Sequence, residues 1–414
     1  MKEEHRLGLP QELLSTYEII REYSDGGSAS RVFMIKKMDS LMILKYATLE
    51  GIGYNGKPWN KQQAIKLIRL QECLPTESKN LFPKVFEYNE TSSYNYYTME
   101  YFDGVSVPKV LFREQVDFIK LIDNILKTLR DKLYLLEVRE CSTNCITINH
   151  YNRIVHRVGL LNLRDGEVYS SFIKDHNISI GGEKFKDLTF FFDRLFKEET
   201  IEINGQLFLN MPQIINLLEQ NLNELDKSLS PQFLPVFAHG DLLLRNILLN
   251  KTGEIKLIDV RGENINEKIP STISLEYEMG KIFHSFLSEL IRNDLLIVKM
   301  KNQKGRFQFF LDLKWNSKIP AFLNARGKMP DLIRKHFEKT VFWDNENKFL
   351  WHTLLSEASH FAADAINRLI QDSSGSHSIA YYIISIILFE NILRKLNIVT
   401  DNSSDLKDIT MILS

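Results

Sequence analysis

The chain has 414 residues, of which 44% are hydrophobic and 25% charged, and its formal net charge is −1. That length holds two or three units with real cores, and the near-neutral balance excludes an electrostatic case for nucleic acid as a partner. Three cysteines, Cys73, Cys141 and Cys145, fit free thiols in a reducing compartment rather than a disulfide framework, and the step from Cys141 to Cys145 is not a CxxC spacing.

Residues 1–10 are charged and lack the apolar segment of a signal peptide. Residues 17–23 and 31–36 read as strands around Ser24-Asp25-Gly26-Gly27-Ser28-Ala29-Ser30, a hairpin tip of glycines and small side chains. Asp39 and Ser40 turn the chain into a third strand, 41–46, which carries Lys45. After a glycine-bearing loop at 51–59, residues 61–74 place Ala64, Ile65, Leu67, Ile68 and Leu70 near helical spacing, and Pro75 ends that helix. Residues 82–88 and 94–101 are predicted strands, and Phe102-Asp103-Gly104 breaks the pattern. The predicted boundary therefore falls between a β-rich first domain, 1–103, and a helical second domain, 104–414.

Helices are predicted over 108–124, 125–138, 148–163 and 211–229, while 164–210 is mixed with a turn at Gly181-Gly182. Apolar residues 234–238 lead into His239-Gly240-Asp241, and 247–249 with 255–258 form a hairpin around Lys251-Thr252-Gly253-Glu254. From 276 to the end the pattern is helical. The longest apolar run, 379–389, is too short to span a bilayer and is expected as a buried helix, so the expectation is a cytoplasmic chain with no membrane span.

Asp241, Asn246 and Asp259 supply one carboxylate and two further oxygen donors that a short loop and a hairpin can bring together. Phosphoryl transfer needs such a set: charge neutralisation on the triphosphate, and a group that orients the attacking hydroxyl and accepts its proton. Asp241 is the candidate base or orienting group, and Asn246 and Asp259 are candidate Mg²⁺ ligands, since Mg²⁺ prefers oxygen. Lys45 is the candidate phosphate lysine. Gly26, Gly27 and Ser28 are candidates to bring backbone N–H groups close to the phosphates.

His239-Gly240-Asp241 with Asn246, followed by Leu257-Ile258-Asp259, resembles the aminoglycoside phosphotransferase and choline-kinase-like family, whose fold is similar to that of protein kinases. The resemblance covers 17–104 and 233–290. It implies an α+β fold of two lobes, a small antiparallel β-rich one and a large, mostly helical one. Tyr97-Thr98-Met99-Glu100-Tyr101-Phe102-Asp103-Gly104 resembles the strand and hinge of that family, which implies adenine against backbone at Glu100 and Tyr101. Residues 276–285 resemble the helix after the metal-binding Asp, with Glu278 where the family usually has Asp. The resemblance implies a kinase using ATP and Mg²⁺, with a small-molecule hydroxyl as acceptor: a sugar, amino sugar, amino alcohol or aminoglycoside. A nucleotide-binding pseudokinase, a protein kinase and an AMP-transferring relative stay open as alternatives, as does the oligomeric state.

Two departures stand out. The acidic partner expected for the strand lysine is replaced in its region by Gln62 and Gln63, which leaves Glu50 or Glu72 as candidates, and Arg245 precedes Asn246, where a loop-covering role is expected. Among the other polar residues, His239 is expected to brace the loop. His352 and His360, with Glu357 between them, are expected to be ordinary helix residues rather than a metal face. Arg153, Arg157 and Arg164 are read as the polar side of a helix, and Asp364 and Asp372 as a solvated face.

Overall fold

The computed structural model describes residues 8–23, 30–48, 59–113, 116–161, 178–180, 183–185, 188–261, 273–303, 306–371 and 375–399. The described residues pack as two compact units: one takes 8–107, 239–241 and 245–261, the other 108–238, 242–244 and 273–399.

The first unit begins with α1 (Gln11–Thr16), β1 (Glu18–Tyr23), β2 (Arg31–Lys37) and β3 (Ser40–Thr48). Helices α2 (Trp59–Cys73) and α3 (Thr76–Lys79) and strands β4 (Val85–Glu90), β5 (Tyr94–Glu100) and β6 (Val105–Ser106) follow. The first five strands form one antiparallel sheet in the order β1-β2-β3-β5-β4. Alternation decides its faces. Phe33 and Ile35 on β2, and Leu44 and Tyr46 on β3, join Leu9, Leu13 and Tyr17 in one apolar cluster. Lys45, one residue out of phase, must point to the other face, where its strand partners are Val32 and Tyr97. Helix α2 buries Ala64, Leu67 and Leu70, close to the predicted stripe.

Helix α4 (Val107–Arg113) begins at the last residue of the first unit's opening segment and runs into the second unit, where α5 (Phe118–Leu129) follows; the Asp117 carboxylate caps α5 by accepting from the Lys120 N–H at 3.0 Å. The helix expected through 138 stops earlier: α5 passes into a π-turn, Arg130–Tyr134, and the chain then forms β7 (Val138–Glu140). A second π-turn, Thr147–Tyr151, leads into α6 (Asn152–Leu161). Within the region of mixed pattern lie β8 (Ile178–Ile180), β9 (Glu183–Phe185), α7 (Leu188–Leu195), β10 (Thr200–Ile203) and β11 (Gln206–Leu209). Helix α8 (Met211–Leu229) fits its prediction, and β12 (Phe233–Pro235) pairs with β7.

The chain rejoins the first unit for the hairpin β13 (Ile247–Leu249) and β14 (Ile255–Leu257), with β6 on the far side of β13. Gly104 is required there, because a Cβ would lie 2.4 Å from the Phe102 ring and 3.1 Å from the Leu249 carbonyl oxygen.

Returning to the second unit, α9 (Leu275–Arg292) is capped by Ser274, whose hydroxyl accepts from the Tyr277 N–H at 3.1 Å. The helical expectation then fails. β15 (Leu296–Gln303) and β16 (Arg306–Leu313) form an antiparallel ribbon that completes a sheet in the order β11-β10-β16-β15. Its sequence explains it: Arg306-Phe307-Gln308-Phe309 alternates with period two, and Phe307 and Phe309 are buried. Helices α10 (Ile319–Gly327), α11 (Met329–Phe337), α12 (Glu346–Gln371) and α13 (Ser376–Lys395) end the described chain. Helix α13 is apolar and long enough to cross a membrane by length and composition, yet 83% of its apolar window is buried inside the fold. The class is α+β, an antiparallel sheet followed by a mostly helical remainder, as expected.

Candidate active site

Lys45 sits at the centre of the sheet with 2% of its side chain exposed. A buried ammonium needs partners, and two carry it. Its Nζ donates to Gln63 Oε1 at 2.7 Å and forms an ion pair with the Asp259 carboxylate. Burial is the largest single effect and opposes the charge, but Asp259, Tyr97 and Asp241 together outweigh it and the lysine pKa is raised. Tyr97, also buried, donates its hydroxyl to the same Gln63 oxygen at 3.4 Å, and burial pushes its own pKa up to about 12. Gln63, an uncharged side chain, is thus the α2 residue that meets Lys45. Glu72 lies exposed near the end of α2, and Glu50 lies outside the described residues.

The loop that carries Asp241 is held by backbone and one imidazole. His239 is fully buried; its Nε2–H donates to the Ile258 carbonyl at 2.8 Å while its Nδ1 accepts from the Asp241 N–H at 3.1 Å. That pattern requires the neutral ring, and burial drives its pKa down to about 4. His239 braces the loop, as expected. The Ile258 N–H donates to the Asn246 carbonyl at 2.9 Å and the Arg261 N–H to the His239 carbonyl at 3.0 Å, so the strand end and the loop are tied twice. Gly240 has φ of 84°, which suits glycine. Asp259 has φ of 60°, a left-handed conformation that Asp tolerates better than most side chains and that costs backbone energy.

Asn246 donates its amide to the Asp241 carbonyl at 2.8 Å and to the Asp241 carboxylate at 3.3 Å. This fixes the orientation of the amide, since its nitrogen is committed to Asp241 and its oxygen is the atom left to act as a ligand. The Asp259 side chain is 42% exposed, so its carboxylate can also meet a ligand while holding Lys45. The donors are carboxylate and amide oxygens, the set a hard cation such as Mg²⁺ takes when it keeps waters and phosphate oxygens as its other ligands.

Lys45, Asp241, Asn246 and Asp259 therefore lie in one hydrogen-bonded region of one unit. Glu100 closes β5 and Tyr101 follows it; the Glu100 carboxylate pairs with Lys256 at 3.1 Å and the Glu100 backbone N–H donates to the Lys84 carbonyl at 2.8 Å, so the side chain is engaged structurally. The Tyr101 hydroxyl donates to Asp103 at 3.4 Å. Gly26, Gly27 and Ser28 lie outside the described residues, as do Arg164, Gly181, Gly182 and Asp372. Sequence reasoning missed Lys66, whose buried Nζ donates to the His239 carbonyl at 3.4 Å. The Gln63–Lys66 spacing, one helical turn, is the signal that could have found it.

In the second unit, the solvated face expected at Asp364 is overturned: it is buried and accepts from Arg153 at 3.2 Å. Arg153 also donates to the Tyr277 hydroxyl at 3.0 Å, so it is part of a buried network rather than a polar surface. His352, His360 and Glu357 are buried on α12. His352 meets His150 at 2.9 Å, and Glu357 takes a two-pronged bond from Arg326, both arms at 3.0 Å. Among the described residues no group of three His, Cys, Asp or Glu side chains is placed to hold a metal. Glu278 is buried and accepts from the Tyr134 hydroxyl at 3.1 Å.

No protein-family model matches the chain, and no curated protein matches it. Among solved structures it is similar to a choline kinase from Cryptosporidium parvum Iowa II, at 12% identity and a TM-score of 0.41, with 93% of this chain and 92% of that one covered. It is also similar to an aminoglycoside-3'-phosphotransferase of type VIII, at 15% identity and a TM-score of 0.36, over 82% of this chain and 92% of the other.

Proposed function

We propose that the protein is an ATP- and Mg²⁺-dependent phosphotransferase acting on a hydroxyl of a small molecule, and that it works in the cytoplasm. The observation that carries this reading is the ion pair of Lys45 with Asp259, residues 214 apart in sequence, beside the bonded pair Asp241 and Asn246. A structural salt bridge alone would not need a left-handed Asp, a half-exposed carboxylate and a second carboxylate held nearby by an amide.

Asn246 and Asp259 would hold Mg²⁺, which when bound neutralises phosphate charge. Lys45, positioned by Gln63, would bind the phosphates of ATP as a point charge. Asp241 would orient the acceptor hydroxyl and take its proton late in the transfer, when a weak base suffices. His239 stays neutral and takes no proton; it holds the Asp241 backbone in place.

The test is turnover of ATP with Mg²⁺ against sugars, amino sugars, amino alcohols and aminoglycosides, comparing the natural chain with Asp241→Ala. The expected result is phosphorylation of one acceptor class and a loss of turnover of roughly 10³-fold or more in the variant. The neutral Gln63 favours one rival, a nucleotide-binding protein without turnover; nucleotide binding with no acceptor phosphorylated would establish that rival. Transfer of AMP, or Asp241-dependent labelling of protein, would replace the proposed reaction by another.

A further inference from the structure

Cys141 and Cys145 are unused by the candidate active site and lie together in the second unit. Their sulfurs are 3.3 Å apart. Cys141 follows β7, where its N–H donates to the Gln232 carbonyl at 2.8 Å, and it is partly exposed. Cys145 is fully buried at the start of the helical segment that leads into α6. The Asp226 carboxylate fixes that start by accepting from the Ile146 N–H at 2.8 Å and the Thr147 N–H at 3.3 Å. One sulfur is therefore reachable and the other is held still beside it. Thr143 lies between them, its hydroxyl 3.7 Å from Cys141 Sγ and 3.5 Å from Cys145 Sγ.

We propose that Cys141 and Cys145 are a redox-active dithiol, a site of reversible internal disulfide formation whose oxidant is a low-molecular-weight disulfide such as oxidised glutathione. Cys141 is the attacking sulfur. The hydrogen bond from the Cys145 thiol, with smaller help from Thr143 and Arg139, lowers its pKa to about 6. The thiolate, not the thiol, is the nucleophile, and exposure decides which thiolate reacts.

The Cys141 thiolate attacks one sulfur of the external disulfide, forming a mixed disulfide and releasing one thiolate. The charge on Cys141 is then gone. The hydrogen bond that Cys145 gave to that thiolate, the largest of the effects holding its proton and ahead of burial, goes with it. Cys145 gives its proton to the released thiolate and attacks Cys141 Sγ, expelling the second external thiolate, which takes up from solvent the proton that Cys141 lost on ionising. Two protein thiols are oxidised and one external disulfide is reduced to two thiols. The sulfurs need only close from 3.3 Å to about 2.05 Å. The loop closed is very short, so the bond restrains little chain entropy, and reduction by ordinary cellular thiols is expected to be easy.

Cys73, exposed and outside this pair, is removed as Cys73→Ser to leave the two thiols alone. The full chain with that change is treated with oxidised glutathione, quenched with acid and weighed, and its peptides are mapped. The expected product is lighter by two hydrogens, with Cys141 joined to Cys145, and returns to its first mass with dithiothreitol. Adding Cys145→Ser, or Cys145→Ala as a second probe of the same point, should trap glutathione on Cys141. Alkylation of Cys141 by iodoacetamide should already be fast below the pH at which an ordinary thiol ionises, matching the lowered pKa. A stable glutathione adduct on Cys141 with Cys145 intact overturns the proposal, because no resolving step occurs. So does an unreactive Cys141.

Discussion

At the level of single residues, Asp259 performs two tasks that a careless substitution would confuse. Its carboxylate neutralises Lys45, and its backbone stands at φ of 60°. Asparagine tolerates that conformation and removes only the charge, whereas alanine loses the charge and strains the backbone. Asp259→Asn is therefore the clean probe. It should lower turnover by about 10²- to 10³-fold, as loss of a preorganised electrostatic group does. It should also cost about 1–3 kcal/mol in denaturant unfolding, below the ~3–5 kcal/mol of a fully buried pair because the carboxylate is half-exposed. A fully active Asp259→Asn would remove the metal and phosphate roles assigned here.

His239 gives a prediction in pH. In the unfolded chain an imidazole takes its proton near pH 6.5, and in the fold this one takes it at about 4. Between those values the unfolded state binds more protons, so stability from this group is full above pH 6.5 and falls as the pH drops through the window. The slope is at most ~1.4 kcal/mol per pH unit. Urea unfolding of the natural chain and of His239→Gln at pH 7, 6 and 5 should show that difference shrinking as acid is added. An unchanged gap would mean that the ring is charged in the fold.

At the level of elements, helix α9 meets α12 at a point where only hydrogen fits. A Cβ on Gly280 would fall 2.3 Å from Ser356 Oγ and 3.0 Å from the Thr353 carbonyl oxygen. The serine hydroxyl could turn, but the Ser356 Cβ, 2.5 Å from the added carbon, and the Thr353 carbonyl cannot. Gly280→Ala should cost about 1–3 kcal/mol despite alanine's better helix propensity, because overpacking outweighs it. Calorimetry would read this as a lowered Tm, and an unchanged or raised Tm would mean that the helices separate freely.

The elements also show what was legible. The strands of the first sheet, α2 and the β13–β14 hairpin stood out because alternation, helical spacing and turn residues agreed locally. Asp241, Asn246 and Asp259 were legible because a short loop and a hairpin join them. Gln63 as the lysine's partner was not, because an uncharged residue stood where a charged one was sought. The β15–β16 ribbon was missed although Phe307 and Phe309 alternate, since helical patterns on both sides dominated the reading. Asp364 was misread because its partner, Arg153, is 211 residues away, and no local pattern carries that distance.

For the whole molecule, ligand linkage gives the broadest test of the candidate site. Nucleotide that binds only the folded chain stabilises it by RT ln(1 + [L]/Kd), about 2.7 kcal/mol at a hundredfold excess over Kd. ATP with Mg²⁺ should therefore raise Tm by several degrees, and ATP with a chelator should raise it less. Lys45→Met should abolish the shift.

The first unit is also discontinuous in sequence, and this bears on how the chain is made. Its sheet leaves the ribosome early, yet the counter-charge for its central lysine is residue 259 of 414. From Val107 to Asp259 the ribosome must add 152 more residues, the difference of those two numbers. At ~5–20 residues per second that takes roughly 8–30 s. Throughout that interval Lys45 is an unmatched cation inside a nascent sheet, so the sheet should stay open until the hairpin β13–β14 emerges. Arrested nascent chains ending before residue 239 should be cut readily by protease within β1 to β5, and chains extended well past residue 261 should resist.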